Sequence, residues 1–209
     1  MSKPQPVRVD PVSGRIHPAR QVSSPNFDQR PQGVEAALII VHGISLPPGE
    51  FGGPHIDRLF TNTLVKDEHP YFAGIADSKV SAHVLIRRHG ELVQYVSIHQ
   101  RAWHAGVSSF GGRSACNDFS VGIELEGSDD VPYTDIQYRR LCATIAALGE
   151  ALPGLRAAPV VGHCHVAPGR KTDPGPAFDW NRLRGLLPGH AVAGPLLQQA
   201  GYSKDTGAA

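Results

Sequence analysis

Apolar residues in this chain fall into short runs and short alternations, with one long helical stripe among them. Ala37-Leu38-Ile39-Ile40-Val41 is unbroken, which reads as a strand buried on both faces. It ends on His42 and passes into the turn-rich GISLPPGEFGGP. A shorter run, Val160 and Val161, leads into Gly162 and His163. In Val121-Gly-Ile-Glu-Leu-Glu-Gly the pattern alternates, so Val121, Ile123 and Leu125 share one face and Glu124 and Glu126 the other. Residues 79–87 and 91–98 alternate around His89-Gly90, which predicts a hairpin.

Helical periodicity is clearest after Thr134. That residue and Gln137 make a capping box for a helix running to about Leu152, with Tyr138, Leu141, Cys142, Ile145, Leu148 and Leu152 on its buried stripe. Pro54 is placed to open a helix through Leu64 as its first helical residue. Asp179 is placed to cap a shorter one through Leu187. Strands mixed with helices predict an α/β fold, although strand spacing does not choose among α/β topologies.

Candidate chemistry concentrates in GHCHVAPGRKTDPG, where His163 and Asp173 share a Pro/Gly-stiffened loop with Lys171. Two potential zinc ligands beside a cation suit hydrolysis by an activated water, but a catalytic zinc commonly takes three protein ligands. His42, at the end of a buried strand, is the best third. His165 forms an HxH pair with His163 and offers an alternative ligand. His83 and His104 are not chosen as ligands; His83 suits a hydrogen-bonded role behind the metal. Glu124 and Glu126 are both placed to serve as a base, and periodicity cannot separate them. Lys171 is placed to stabilise an oxyanion, and the Thr-Asp-Pro-Gly segment is also a turn.

Composition narrows the setting. The 209 residues, 41% hydrophobic and 19% charged, suffice for a single core of ordinary composition. A formal net charge of +1 gives no reason to expect a nucleic-acid or membrane partner. Cys116, Cys142 and Cys164 are odd in number without a CxxC pair, so no disulfide framework is expected, and Cys164 reads as a small buried thiol. The first 30 residues carry Lys3, Arg8, Arg15, Arg20 and Arg30 with several prolines and lack a signal-peptide core, so a cytoplasmic location is expected. The expected organisation is a peripheral N-terminal extension over 1–30, a catalytic domain over 31–188 and a tail over 189–209.

Taken together, VHGISLPPGEFGG, SAHVLIRRHGELVQYV, RAWHAGVSSFGGR, CNDFSVGIELEG and GHCHVAPGRKTDPGPAFDW resemble the AmpD-type N-acetylmuramyl-L-alanine amidases, in order from about Val34 to Leu187. The resemblance implies a mixed central sheet flanked by helices with the metal site at one edge of the sheet. It further implies Zn2+ held by His42, His163 and Asp173, with Glu124 as general base and Lys171 at the reaction centre. The implied reaction is cleavage of the amide between 1,6-anhydro-N-acetylmuramic acid and L-alanine during cell-wall recycling, by a monomer whose partner is the anhydromuropeptide. Trp103, Lys79 and Arg113 are the candidates for contacting sugar and peptide. Relatives often carry Asn at position 43, Arg at 79 and Arg at 115, where this chain has Gly43, Lys79 and Ala115. Those departures bear on anchoring of the peptide rather than on the zinc chemistry. A silent peptidoglycan-binding module and a zinc peptidase of other specificity are the competing classes. The five catalytic positions present together argue against the first of these.

Overall fold

The two apolar segments that end in His42 and Glu126 become the two central strands of the sheet, in a computed structural model that describes residues 5–193. The strands are β1 (Arg20–Gln21), β2 (Leu38–Ile44), β3 (Val84–Ile86), β4 (Leu92–Gln94), β5 (Ser120–Glu126) and β6 (Val160–Gly162). They lie in the order β6-β2-β5-β3-β4-β1. Strands β6, β2, β5 and β3 are mutually parallel, β3 and β4 form the antiparallel hairpin, and β1 runs parallel to β4. Both faces of β2 and β5 are covered by packed side chains, which explains their apolar content.

Register decides which face carries chemistry. Ile39, Val41, Val121, Ile123 and Leu125 pack with Tyr138, Leu141, Ile145 and Leu148 of helix α2 (Asp135–Ala151). The other face buries Leu38, Ile40 and Val161 against Ala105, Cys116 and Phe119, and Leu85 and Val93 against Phe60 and Leu59 of α1 (His55–Phe60). By strand alternation His42, Gly122 and Glu124 belong to this second face. His42 and Glu124 are direct neighbours in the β2–β5 register, and Gly162 lies opposite Val41, so His163 emerges beside His42. The site therefore forms at the carboxyl ends of the edge strand β6 and of β2 and β5, the place where parallel sheets open a crevice. Two further helices follow β6: the single turn α3 (His163–Val166) and α4 (Trp180–Leu186).

Local signals account for the helix ends. The Thr134 hydroxyl accepts from the Gln137 N–H at 3.3 Å while the Gln137 side chain accepts from the Thr134 N–H at 3.0 Å. Gln137 is itself buried and donates to the carbonyls of Ile86 and Glu126, whereas Cys142 and Leu152 of the expected stripe are only partly covered. Asp179 caps α4 by accepting from the Arg182 N–H at 2.9 Å. Helix α1 is shorter than expected: Pro54 is its N-cap, and the helix stops at Phe60 because Asn62 takes a left-handed conformation with φ of 60°. The hairpin strands are likewise shorter than the alternation, and its turn closes through Gly90, whose φ of 88° suits glycine.

The peripheral role expected of the N-terminal segment is corrected by its packing. Ile16 is fully buried in the main core, and Gln94 reaches out from β4 to accept its N–H at 2.7 Å while donating to the Gly14 carbonyl at 2.8 Å. Strand β1 extends the sheet, Phe27–Asp28 pairs with Arg101–Ala102, and Arg30 donates to the carbonyls of Asn117, Asp118 and Ser120. A polar, Pro-rich composition hides such a segment, because partners distant in sequence satisfy its backbone. At the other end, Val192 bridges to Val160 on the free edge of β6, and the tail from 194 onward lies outside the described residues. Among the described residues no helix is long and apolar enough to cross a membrane.

Candidate active site

His42, His163 and Asp173 bring one ligand atom each to within 4.8 Å of one another. His42 is placed by β2, His163 by the first position of α3, and Asp173 by the turn that Gly175 closes with its N–H on the Thr172 carbonyl. The Cys164 N–H on the Asp173 carbonyl at 3.0 Å ties that turn to α3. The two Nδ1 atoms are 3.1 Å apart, and each lies 3.2 Å from Asp173 Oδ2. Both rings direct Nε2 outward, His42 to His104 Nδ1 at 2.9 Å and His163 to the Ala105 carbonyl at 3.1 Å. A carbonyl only accepts, so a neutral His163 carries its proton on Nε2 and turns a lone pair on Nδ1 toward the carboxylate. Two imidazole nitrogens and a carboxylate oxygen facing one point form a donor set that only a cation or a proton makes stable, and its composition suits zinc. Burial pushes His42 down to about 4, which keeps the ring neutral and able to coordinate.

The structure separates the two acidic residues that alternation left equivalent. Glu126 is 1% exposed and fully engaged: Oε1 accepts from Arg87 at 2.9 Å and from the Gly52 N–H at 2.7 Å, and Oε2 accepts from the Arg88 N–H at 3.0 Å. Glu124 faces the cleft beside His42, and its buried Oε2 has no hydrogen-bond partner among the described residues. Desolvation, reinforced by Asp173 and partly opposed by Lys171, raises its pKa well above the ordinary carboxylate value. A carboxyl held this way binds a proton more readily than an ordinary carboxylate, which suits proton exchange with a reacting group. Lys171 is exposed at the cleft wall, and its ammonium has no ion-pair partner among the described residues.

A cleft of about 540 Å³ opens over this cluster. Its lining includes the apolar Leu46, Pro48, Phe60, Ile75 and Val80 and the half-exposed Tyr71. Ser45, Ser128 and Asp129 also line it. Lys79 is exposed between Ser78 and Val80, both of which line the cleft. Trp103 and Arg113 are not among the lining residues: the Trp103 side chain hydrogen-bonds to Asp28, and the Arg113 guanidinium lies 3.9 Å from the centre of the Phe119 ring. His165 turns away from the cluster, accepting from the Gly162 N–H at 2.8 Å and packing edge-on against Trp180, so the HxH alternative does not form. Burial pushes the Cys164 thiol up to about 11, which leaves it inert at neutral pH.

Three residues around the centre carry roles the sequence did not reveal. The ring of His104 supports His42 from behind. Arg170 straps the ligand loop to residues 105 and 107 through the Ala105 and Val107 carbonyls at 2.6 and 2.8 Å. Tyr133 donates to the Pro174 carbonyl at 3.0 Å, next to Asp173. Its hydroxyl sits where a Cβ on Gly43 would stand, 2.3 Å away, so Gly43 is what admits it. The sequence signs were two glycines interrupting strands, Gly43 and Gly122, since glycine in a strand interior often marks close approach by another group. Lys171 and Glu124 fall on the cleft as expected, and His83 lies behind it, accepting from the Gly122 N–H at 3.0 Å and donating to the Gln100 carbonyl at 3.0 Å.

This geometry can be set beside known proteins. Residues 32–176 match the N-acetylmuramoyl-L-alanine amidase family model. The chain is 59% identical over 174 residues to the 1,6-anhydro-N-acetylmuramyl-L-alanine amidase AmpD of Citrobacter freundii, covering 83% of this chain and 92% of that one. Identity to the Escherichia coli K12 protein of the same name is 59% over 169 residues, covering 81% and 92%. A crystal structure of a selenomethionine AmpD derivative superposes with a TM-score of 0.82 at 57% identity, covering 86% of this chain and 98% of that one. With a family match across most of its length, relatives of that identity and the same fold, this chain belongs to the N-acetylmuramoyl-L-alanine amidases, in their AmpD-type branch.

Proposed function

We propose that this enzyme hydrolyses the amide between 1,6-anhydro-N-acetylmuramic acid and L-alanine in peptidoglycan fragments, as a cytoplasmic step of cell-wall recycling that depends on zinc. The observation that carries the metal centre is the convergence of His42 Nδ1, His163 Nδ1 and Asp173 Oδ2, with the other nitrogen of each ring hydrogen-bonded away from that point. His42, His163 and Asp173 would hold the ion. Bound there, zinc supplies Lewis acidity and a water whose pKa is brought near neutrality.

The remaining chemistry belongs to the chain. Glu124 takes a proton from the attacking water and returns it to the amide nitrogen as L-alanine leaves. Its raised pKa makes the carboxylate a stronger base than an ordinary glutamate for the first transfer. Lys171, which has no ion-pair partner among the described residues, faces the oxyanion of the tetrahedral intermediate. The apolar lining excludes water beside the reacting amide, and Lys79 at the rim meets a carboxylate of the peptide stem. Trp103 and Arg113 reach only those parts of the substrate that extend past the cleft. The amidase names of the relatives support this choice of bond over an unrelated peptide amide. A side-by-side digestion of an anhydromuropeptide and intact cross-linked cell wall, followed by chromatography, tests the substrate class. Preferential release of peptide from the anhydro fragment is expected, and equal or greater activity on intact wall would refute it.

A further inference from the structure

We infer that Ser120 and His104 are positioning residues of the metal centre: their hydrogen bonds fix the ring tautomer that His42 presents to the cation. The inference rests on the proposed assignment of His42 as a ligand. The Cys116 carbonyl can only accept, and it lies 2.6 Å from Ser120 Oγ, so the hydroxyl proton is committed there. Ser120 Oγ, 3.2 Å from His104 Nε2, is then left to accept from that nitrogen. A neutral His104 with its proton on Nε2 has a lone pair on Nδ1. That lone pair is 2.9 Å from His42 Nε2 and accepts its proton. His42 is left with a bare Nδ1, the atom that faces His163 and Asp173. One carbonyl thus polarises the whole series toward coordination.

Packing prevents the series from rearranging. Ser120 is 0% exposed, His104 8% and His42 2%, so water does not readily substitute for a missing partner. The His104 ring lies on the bare backbone of Gly122, where a Cβ would stand 2.5 Å from its Cγ and Nδ1. Asn117 Oδ1 accepts from the N–H groups of both His104 and Ala105, at 3.2 and 2.8 Å, and holds the loop that carries the ring. Ser120 and Gly122 lie on the same strand face as Glu124, so β5 supplies the anchor, the seat and the proposed base at alternate positions.

The test uses the full chain and its Ser120→Ala and Ser120→Thr variants. Histidine tautomers are read by imidazole nitrogen NMR on metal-free protein, and zinc affinity by competition with a chromogenic chelator. Ser120→Ala is expected to leave His104 as a mixture of tautomers and to weaken zinc by roughly 10-fold or more, the usual cost of losing an outer hydrogen bond to a ligand. Ser120→Thr, which restores the hydroxyl, is expected to recover both. Wild-type tautomers and affinity in Ser120→Ala would overturn the inference, as would weakened zinc binding with unchanged tautomers. Absence of zinc binding by the wild-type chain would instead overturn the metal-centre proposal, and the tautomer readout would still judge the hydrogen-bond series.

Discussion

Replacing Glu124 by Gln is expected to make the metal-free protein more stable while abolishing most of its activity. Oε2 of this side chain is buried without a hydrogen-bond partner among the described residues, and its pKa is raised chiefly by desolvation. Leaving a buried polar group unsatisfied costs about 1–3 kcal/mol, and more when it is charged. Gln keeps a polar amide at that position but carries no charge, so at pH values where the carboxyl is ionised the variant should gain about 1–3 kcal/mol, less what Lys171 offsets. For a chain of this size that corresponds to a rise in Tm of roughly 2–10 °C. The sign with pH follows from linkage. A carboxyl whose folded pKa lies above its unfolded value binds more protons in the folded state between the two, so wild-type stability falls as pH rises through that window. The variant lacks this slope, so the two proteins should coincide below the ordinary value of 4.5 and diverge above it. Thermal unfolding of both proteins in chelator across pH 4–8 measures the gap. Turnover, assayed with zinc restored, should fall about 10²-fold or more with metal content unchanged. Equal Tm at every pH would refute the claim of an unsatisfied buried carboxylate, and wild-type turnover would refute its role as base.

Other perturbations separate the surrounding residues. Asp173→Ala should lose most bound zinc by elemental analysis, whereas His165→Ala should retain it, because His165 is turned toward Gly162 and Trp180. Glu126→Ala breaks a buried pair with Arg87 and should cost about 3–5 kcal/mol in denaturant unfolding. Gly43→Ala should destabilise by about 1–3 kcal/mol through the clash with the Tyr133 hydroxyl, and combining it with Tyr133→Phe should recover part of that loss in a double-mutant cycle.

Much of the fold was legible because the signals were local. The strand runs before His42 and His163, the Thr134 capping box and the Asp179 cap all formed where periodicity placed them. What failed was decided by distant partners. Helix α1 ended early on a left-handed Asn62, whose side chain pairs with Asn26, and the N-terminal segment was tied down by Gln94 on Ile16 and by its own Arg30 on the Ser120 carbonyl, all partners distant in sequence. In the site, alternation put Glu124 and Glu126 on one face but could not show that Arg87 and two backbone amides consume the second. The resemblance chose Glu124, and the hydrogen bonds show only that Glu126 is engaged elsewhere. His104 was passed over as a ligand, and its contact with His42 crosses 62 positions that no periodicity relates.

The central claim is tested most directly by mass spectrometry of 1,6-anhydro-N-acetylmuramyl-tripeptide incubated with the purified chain, after chelation and again after zinc is restored. The account predicts intact tripeptide and free 1,6-anhydro-N-acetylmuramic acid as products, lost with chelation and regained with zinc. Cleavage that persists without metal, or at a different bond, would contradict it.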